Sequence, residues 1–577
     1  MTMRTSRHPI SPRQDRSLGS ALRSCALLLW PLASAAALAQ VVPNAGSALR
    51  DVAPQPPLTA PAAPAAAPLP PAAPAQPGRP AAQTAFPLRS VSFVGNTVFS
   101  SADLAALAAD RIGQQVTFAE LDQIRQRIAD RYRGAGYPLA QAVLPVQDVT
   151  AGAVEFSIVE GRLGHVRLTV APESPISAQR LDPFLAQLKS GQPIRQDDLE
   201  RTLMLMSDLP GIVVQSALEQ GEEPGTTDLI VDVGPSRRVN LLLDADNYGV
   251  RSTGEARIGA TLRVNSPLGI GDNLDLRLID TAANGLVYGR AGYELPLGGR
   301  GTRLGVAYGQ LHYRLGKEFA GLDSSGSAEV LEVGVTHPLL RSRARNLVGR
   351  VGYEHKLLED RVGAFRLDSE QSIDLAVLGL SYEGRDGVWR GGYTSAALTA
   401  YLGEVDLRSP DVLAVDQAPQ GPDTNGSFAH LNYQLSRLQA LSARTSAYLG
   451  LAGQWASKNL VSAEKIALGG PAAVRAYPPS EGVVDEGYVV NGELRFSVTN
   501  QVTVSGFYDA GWGRILEDPL PGQGTNSATV RGYGLGLYWS APYGFALRGS
   551  AAWRDTGAPV TAPDRLPRVY LQLTKSF

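Results

Sequence analysis

The chain has 577 residues, a formal net charge of -2 at pH 7 and acidic and basic side chains that are interspersed. This charge balance gives no indication of nucleic-acid binding. The length predicts several domains, and 61 glycines with only 4 methionines and 1 cysteine favour turn-rich β structure. After the first forty residues no segment approaches the roughly 18 consecutive apolar residues of a membrane-spanning helix, which excludes a helical inner-membrane protein.

Residues 1–39 have the pattern of a secretory signal peptide. A basic leader with five arginines precedes the apolar run from Ala26 to Leu38, and small residues precede Gln40, which predicts cleavage after Ala39. Cys25 lies before the apolar run rather than after it, so lipidation is the less favoured alternative. The mature chain then contains no cysteine, and an exported protein without disulfides must be stabilised by its size, by sheet closure or by a membrane.

Two segments separate the signal peptide from the first folded region. Residues 40–52 contain "VPNAGSALRDV", a possible plug helix that is too short to be stable on its own. Residues 53–85 are rich in Pro and Ala and cannot pack a core. We expect this linker to be extended, spanning on the order of 90 Å at about 3 Å per residue. It is either a simple spacer or a linker that threads through a pore.

Residues 86–161 and 162–236 each predict the element order βααββ, so a small α/β unit occurs twice. In the first unit, Thr117 and Glu120 form a capping box that begins a long helix. The apolar residues of this helix recur on one face, and glycines end it. That face consists of Leu121, Ile124, Ile128 and Tyr132.

Residues 237–577 show short strands that alternate apolar and polar side chains, as in "NLDLRL". Turns that begin at Pro267, Pro296 and Pro338 are short, whereas the intervening connections are long and polar. This asymmetry, and an alternating last strand that ends at Phe577, favour an outer-membrane β-barrel of about 16 antiparallel strands over a soluble β-sandwich. Phe577 resembles the C-terminal targeting signal of outer-membrane proteins. Lys575 interrupts the apolar face of this strand, although a lysine near a strand end can extend its ammonium group to the membrane interface.

A long connection at about 468–488 contains "VRAYPPSEGVVDEGY". If the apolar face of the neighbouring strand meets lipid, Asp509 points into the barrel, and Arg475 could fold inside to pair with it. The alternative is that Arg475 is a solvated loop residue and Asp509 a hydrated lumen charge. Spacing alone favours this second interpretation.

Several motifs resemble those of a known family. The segments "RYRGAGY" at 131–137 and "LERTLMLMSDLPGIVVQSALEQGEEPGTTDLIVDV" at 199–233 resemble POTRA domains. "VRAY" at 474–477 and "GFYDAG" at 506–511 resemble the loop-tip and barrel-wall motifs of two-partner secretion transporters of the FhaC/ShlB (TpsB) type. The resemblance implies that Arg475 reaches Asp509 and holds the loop inside the pore. The implied tip residues are Val474, Arg475, Ala476 and Tyr477, and the implied wall residues are Gly506, Phe507, Asp509 and Gly511.

Ala476 replaces the usual glycine of the tip motif, which would cause strain if the position required a positive φ. The family resemblance implies an outer-membrane translocator, with its POTRA domains in the periplasm, that secretes an unfolded exoprotein bearing an N-terminal secretion domain. Cargo would be a large adhesin or haemolysin-like protein, bound through POTRA sheet edges. Other expected partners are outer-membrane lipid and the barrel assembly machinery, and the expected state is a monomer.

Three alternatives remain open: an insertase related to BamA or TamA, a passive porin and an outer-membrane enzyme. Two POTRA units rather than several favour secretion over insertion. The six histidines show no metal-site or triad spacing, so the sequence predicts no enzyme, no cofactor and no metal site. These histidines are His8, His165, His312, His337, His355 and His430. No nucleotide-binding motif is present, so transport is expected to proceed without nucleotide hydrolysis.

Overall fold

The computed structural model describes residues 42–52 and 85–577. The predicted signal peptide, and all but the last residue of the Pro/Ala-rich linker, lie outside the described residues. The described chain contains a short helix α1 (Ala45–Val52), two α/β units and a closed β-barrel. Its helices are all too short or too polar to cross a bilayer.

The first α/β unit packs two helices on a small sheet. Its elements are β1 (Phe86–Pro87), β2 (Ser90–Val94), α2 (Ser101–Ala106), β3 (Gln115–Val116), α3 (Phe118–Gly134), β4 (Gln141–Val143) and β5 (Ala153–Val159). Strand order is β2-β5-β4, with β2 parallel to β5. The predicted capping box of Thr117 and Glu120 is present at the start of α3, and the four apolar residues predicted to form one face of α3 are all buried.

The second α/β unit repeats the same order. Its elements are β6 (Arg162–Val170), α4 (Ala178–Leu185), α5 (Gln196–Ser207), β7 (Ile212–Gln220) and β8 (Thr226–Pro235). The sheet order is β6-β8-β7, again with one parallel and one antiparallel pair. Each unit therefore leaves two strand edges without a partner in its own sheet.

A barrel of sixteen antiparallel strands follows, which confirms the predicted strand number. Its strands are β9 (Val239–Asp246), β10 (Arg257–Asn265), β11 (Asn273–Thr281), β12 (Leu286–Leu297), β13 (Thr302–Arg314), β14 (Ser324–Arg341), β15 (Arg345–Val362), β16 (Leu367–Asp386), β17 (Gly392–Leu407), β18 (Gly426–Ala440), β19 (Thr445–Ala456), β22 (Glu486–Ser497), β23 (Val502–Arg514), β24 (Ser527–Ser540), β25 (Phe545–Arg554) and β26 (Arg568–Ser576). Strand β26 pairs with β9 and closes the barrel.

The connections carry a few short elements of their own. These are a helix α6 (Pro410–Asp416), two short strands β20 (Ile466–Ala467) and β21 (Val483–Val484), and 3-10 turns at Ala282–Asn284, Lys317–Leu322, Gly363–Phe365 and Pro542–Gly544. Strands β20 and β21 pair with each other inside one long loop.

Alternation along the strands produces an apolar outer face and a polar lumen. Several large aliphatic side chains are more than half exposed on the outer face, where lipid covers them in a membrane. Charged side chains of the same strands are buried inside, among them Glu493, Arg495 and Asp509. The outward aliphatic residues include Leu278, Val351, Leu449 and Leu535.

The second α/β unit contacts the short turns at one end of the barrel. Asp208 receives two hydrogen bonds from Arg341, at 2.7 and 2.6 Å. Arg201 donates to the carbonyl of Pro338 at 2.7 Å, next to the β14–β15 turn. The turns that the sequence predicts at Pro296 and Pro338 therefore lie at the same end as the α/β units, and the long connections lie at the other end.

The last strand ends at the exposed ring of Phe577. Lys575, the one polar residue on its outer face, places its ammonium group 4.7 Å from the ring centroids of both Phe545 and Phe577. A cation over aromatic faces is stabilised at a membrane interface, which accounts for a lysine at this position.

Candidate functional site

The long loop between β19 and β22, residues 457–485, folds back into the barrel and is termed the pore loop here. It begins earlier than the range of about 468–488 expected from the sequence, and residues 486–488 belong to β22. The difference arises because residues 457–465 have no strand alternation or turn signature, whereas the glycines and proline at 469–471 suggest a loop start.

Arg475, at the tip of the pore loop, contacts Asp509 on β23. Its Nε and Nη2 atoms donate to the two carboxylate oxygens, both at 2.8 Å, and its backbone N–H donates at 3.2 Å. The residues are 3% and 0% exposed. A planar guanidinium that meets a carboxylate with two parallel hydrogen bonds fixes orientation as well as charge. Removing one partner of such a buried pair costs about 3–5 kcal/mol, because the other charge is left uncompensated.

Phe507 and Asn491 complete the surroundings of this ion pair. The Arg475 guanidinium carbon lies 3.4 Å from the centroid of the Phe507 ring. Asn491 stands opposite Asp509 in the β22–β23 ladder and donates to its carboxylate at 2.8 Å. The same amide donates to the carbonyl of Ala473 in the loop at 2.9 Å. Both strands therefore hold the tip by directional contacts.

Glu493 is a further contact of Arg475, and the sequence motifs did not point to it. Its carboxylate accepts from Arg475 Nη1 at 2.5 Å and from Arg495 Nε at 2.7 Å. The Arg495 guanidinium lies 4.6 Å from the Tyr448 ring centroid and 5.3 Å from that of Tyr538. The sequence does contain one indication of this contact, because strand alternation places Glu493 on the same face as Asn491. Two acids, Glu493 and Asp509, thus share Arg475.

The other residues of the tip motif are also buried against the wall. Val474 is fully buried beside Gly511, where an added Cβ would lie 3.3 Å from a Val474 methyl. The hydroxyl of Tyr477 donates to the carbonyl of Gly557 at 2.8 Å, and Tyr570 donates to the carbonyl of Tyr477 at 2.7 Å. Gly511 therefore provides space for the loop.

Two motif positions can be compared with the glycine pattern of the family. Ala476 is not among the described residues with positive φ, so the condition under which an alanine would be strained there is not met. Gly506 of the wall motif has nothing within 4 Å of an added Cβ and lies on the outward face of β23. The structure thus brings Phe507, Asp509 and Gly511 to the pore loop but not Gly506.

Helix α1 also lies inside the barrel. The backbone N–H of Ala45 donates to Asp360 at 2.7 Å, and Arg50 donates to the carbonyl of Ser462 at 3.0 Å. Asp51 accepts from Ser480 at 2.7 Å. Ala45, Ala48 and Val52 pack into an apolar cluster that strands β11 to β19 form on the lumen side, together with residues of the pore loop. The wall and the pore loop thus supply the stability that so short a helix lacks on its own.

The arrangement is one of buried ion pairs rather than reactive groups. Among residues 42–52 and 85–577, no group of three or more His, Cys, Asp or Glu side chains is placed to hold a metal ion. Arg475 has both of its acids engaged, and its contacts can be broken and reformed without any covalent step. Such a site can hold or release a loop that occupies a pore.

Comparison with protein families agrees with the motifs. The family model described as "Haemolysin secretion/activation protein ShlB/FhaC/HecB" matches residues 225–539, more than half of the chain. A model of the ShlB-type POTRA domain matches residues 86–161.

Individual proteins are similar over most of the chain. The heme/hemopexin transporter protein HuxB of Haemophilus influenzae strain 86-028NP is 28% identical over 483 residues, 81% of this chain and 83% of HuxB. The outer membrane transporter CdiB of Escherichia coli is 23% identical over 505 residues, 83% of this chain and 80% of CdiB.

Among solved structures, CdiB from Escherichia coli superposes with a TM-score of 0.68 at 20% identity, covering 97% of this chain and 98% of CdiB. BamA from Haemophilus ducreyi lacking POTRA domains 1-3 superposes with a TM-score of 0.50 at 14% identity, covering 86% of this chain and all of that one. At these identities the likeness to the solved structures concerns the fold alone.

Proposed function

The chain belongs to the haemolysin secretion/activation protein family ShlB/FhaC/HecB, and we propose that it carries one large unfolded exoprotein from the periplasm through its own barrel. It is a two-partner secretion transporter of the outer membrane, and the POTRA domains of this family lie in the periplasm. Transport uses no cofactor, no nucleotide and no catalytic group, and folding of the cargo outside the cell supplies the direction.

The cavity between the second α/β unit and the barrel supports an entry route for an extended chain. It is an open cleft of about 490 Å³, lined on one side by apolar residues of the second unit, such as Phe184 and Leu205, and on the other by lumen charges such as Glu294 and Arg303. An unfolded segment carries both apolar side chains and polar backbone, and this lining can accommodate both. The unpaired sheet edges of the two α/β units can bind the backbone of such a segment by β-augmentation.

Residues 162–236 are proposed as a second POTRA domain because they repeat the element order of the first. Its bonds to the barrel turns, through Asp208 and Arg201, would hold the receptor over the entrance. The cargo is proposed to be adhesin-like or haemolysin-like and recognised through an N-terminal secretion domain. The transporter would act as a monomer, after cleavage behind Ala39 and insertion by the barrel assembly machinery with the help of Phe577.

The ion pair of Arg475 and Asp509 is the observation that supports a gating role. A loop that fills the lumen must be held there by strong contacts and must yield to cargo. We assign Val474, Arg475, Ala476 and Tyr477, with Phe507, Asp509 and Gly511, to this lock. Helix α1 is assigned as a plug on the same grounds, because it fills the space beside the pore loop.

Replacing Arg475 with Ala tests the proposal. We expect secretion of the cognate exoprotein to be lost while the barrel still assembles, measured by cargo in the medium and by heat-modifiable migration of the barrel. Arg514→Ala is the matched control, because Arg514 pairs with Glu486 and Glu517 at the exposed end of β23. Undiminished secretion by Arg475→Ala would contradict the lock.

A further inference from the structure

The first arm of the pore loop has its own buried contact with the barrel wall, away from the tip. Glu464 is 5% exposed, and its carboxylate lies 2.7 Å from Lys356 Nζ and 3.1 Å from His430 Nε2. Lys356 belongs to β15 and His430 to β18, whereas the tip is held by β22 and β23. The pore loop is thus attached to two different parts of the wall.

Glu464 ends a row of charges of alternating sign along the lumen. Three cations and two anions precede Glu464 in this row, so the carboxylate of Glu464 brings the formal charge of the row to zero. In order, these five residues are Arg290, Glu332, Arg350, Glu354 and Lys356. Glu354, the other acid near Lys356, is 3.9 Å away, beyond hydrogen-bond distance. Without Glu464, Lys356 would lose its only hydrogen-bonded anion among the described residues. The remaining separations are Arg290–Glu332 3.2 Å, Arg350–Glu332 3.9 Å and Arg350–Glu354 3.4 Å.

The imidazole of His430 is fixed so that one nitrogen faces Glu464. Its ring stacks on Tyr401 with centroids 4.4 Å apart, and its Nδ1 lies 3.2 Å from Asn432. Gln454 on β19 adds a backbone contact by donating to the carbonyl of Glu464 at 2.8 Å. Side chain and backbone of this one loop residue are therefore both held by the wall.

The two residues before Glu464, Ser462 and Ala463, form one part of the surface that holds helix α1, and this part is termed the seat. Ser462 Oγ donates to Asn44 at 2.6 Å, and the carbonyl of Ser462 accepts from Arg50 at 3.0 Å. Gly46 packs so closely that an added Cβ would lie 2.8 Å from the backbone nitrogen of Ala463. The position of this seat follows from the position of Glu464, its direct neighbour in the chain.

We propose that Glu464 is a positioning residue that forms a second latch of the pore loop. It holds the first arm against β15 and β18 and so sets the seat of helix α1, while Arg475 holds the tip. Breaking one latch leaves the other closed. The proposal rests on the proposed function only in treating the pore loop as a movable element.

A cysteine cross-link between helix and seat reports this latch directly. Cys25 lies in the predicted signal peptide and is the only natural cysteine. Because the side chains of Asn44 and Ser462 are hydrogen-bonded, we expect Asn44→Cys with Ser462→Cys to form a disulfide in the full-length protein in outer membranes. Adding Glu464→Gln should lower the cross-linked fraction after mild oxidation by about tenfold, because a buried charge pair is lost. Adding Arg475→Ala should change it by less than about twofold, as expected for separate sites.

Glu486→Gln is the matched control, since Glu486 follows the loop and pairs with partly exposed Arg514 at 2.9 Å. A cross-linked fraction for Glu464→Gln equal to that of the control would overturn the proposal. If Glu464→Gln does not assemble, Lys356→Met removes the same pair from the wall side, and the same two outcomes decide. Normal secretion by Arg475→Ala would defeat the lock but would not change the cross-link result, so the two proposals fail separately.

Discussion

The methyl group of Ala476 lies directly over the backbone of Gly532 on β24. A Cβ built on Gly532 would be 2.3 Å from the Cβ of Ala476 and 2.8 Å from the carbonyl oxygen of Trp553. Real Cβ atoms do not approach so closely. The tip motif can therefore carry an alanine in this chain because the facing strand carries a glycine.

Gly532→Ala is expected to push the tip of the pore loop away from the wall. Overpacking of a filled site costs typically about 1–3 kcal/mol, and the displaced tip would weaken the bonds between Arg475 and Asp509. We expect less secreted cargo and a lower temperature for the heat-modifiable transition of the barrel. Ala476→Gly alone should be tolerated, since it removes a methyl group without straining the chain.

Gly506→Ala is the control for this substitution, because its added methyl has nothing within 4 Å on the outward face. The double variant Ala476→Gly with Gly532→Ala should recover part of the lost secretion, because the clash with the Ala476 methyl group is removed. Recovery should be incomplete, because the close contact with the Trp553 carbonyl remains. Equal behaviour of Gly532→Ala and Gly506→Ala would show that the tip does not depend on this glycine.

The contact between Ala476 and Gly532 could not be predicted from the sequence, although the strands around it could. The phase of β22 and β23 follows from local alternation, so the lumen position of Asn491, Glu493 and Asp509 could be predicted. The space for the Ala476 methyl group depends on Gly532, which lies beyond β22 and β23 in the chain, and no local pattern connects the two residues. For the same reason, the sequence predicts only a weak helix within residues 40–52. The partners that stabilise α1, such as Asp360 and Ser462, lie hundreds of residues later in the chain.

Glu493→Gln should weaken the lock without removing Arg475. The carboxylate of Glu493 lies between the guanidinium groups of Arg475 and Arg495, so its neutralisation leaves two buried cations with one acid fewer. A cost of about 3 kcal/mol is expected for breaking a buried pair. Secretion and the heat-modifiable transition should both fall, and Glu359→Gln, on the exposed face of β15, should leave both unchanged. A wild-type transition in Glu493→Gln would mean that the tip does not depend on the charge of Glu493.

Gly46→Leu should displace helix α1 from its seat. Glycine is the poorest residue apart from proline in a helix interior, and leucine is among the best. A displacement of helix α1 in this variant therefore cannot result from a lower helix propensity. A Cβ at Gly46 would lie 2.5 Å from Ser462 Oγ and 2.8 Å from the backbone of Ala463. The expected result is a higher conductance of the purified protein in planar bilayers. Gly321→Leu, where an added Cβ meets nothing within 4 Å, is the control, and equal conductance of the two variants would argue against a plug.

Glu160 is a buried carboxylate outside the barrel, where the first α/β unit joins the second. It accepts from the backbone of Thr97 at 2.6 Å and of Val98 at 2.8 Å, from the Thr97 hydroxyl, and from Tyr132 at 3.0 Å. Arg162, the first residue of β6, donates to it at 3.3 Å. Burial raises the pKa of Glu160, but these hydrogen bonds outweigh burial and leave its pKa below the ordinary value of 4.5. Burial and the nearby carboxylate raise the pKa of Tyr132, which stays a donor.

A depressed pKa in the folded state contributes stability that is present above the unfolded pKa and is lost as pH falls through the folded pKa. Glu160→Gln should therefore speed amide hydrogen exchange of the first α/β unit at pH 7, by an amount equivalent to about 1–3 kcal/mol. The difference from wild type should shrink once the pH drops below about 4.5, after correction for intrinsic exchange rates. Glu155→Gln, on the exposed face of β5, should match wild type at every pH. A difference between Glu160→Gln and wild type that is constant with pH would show that the negative charge of Glu160 does not stabilise the unit.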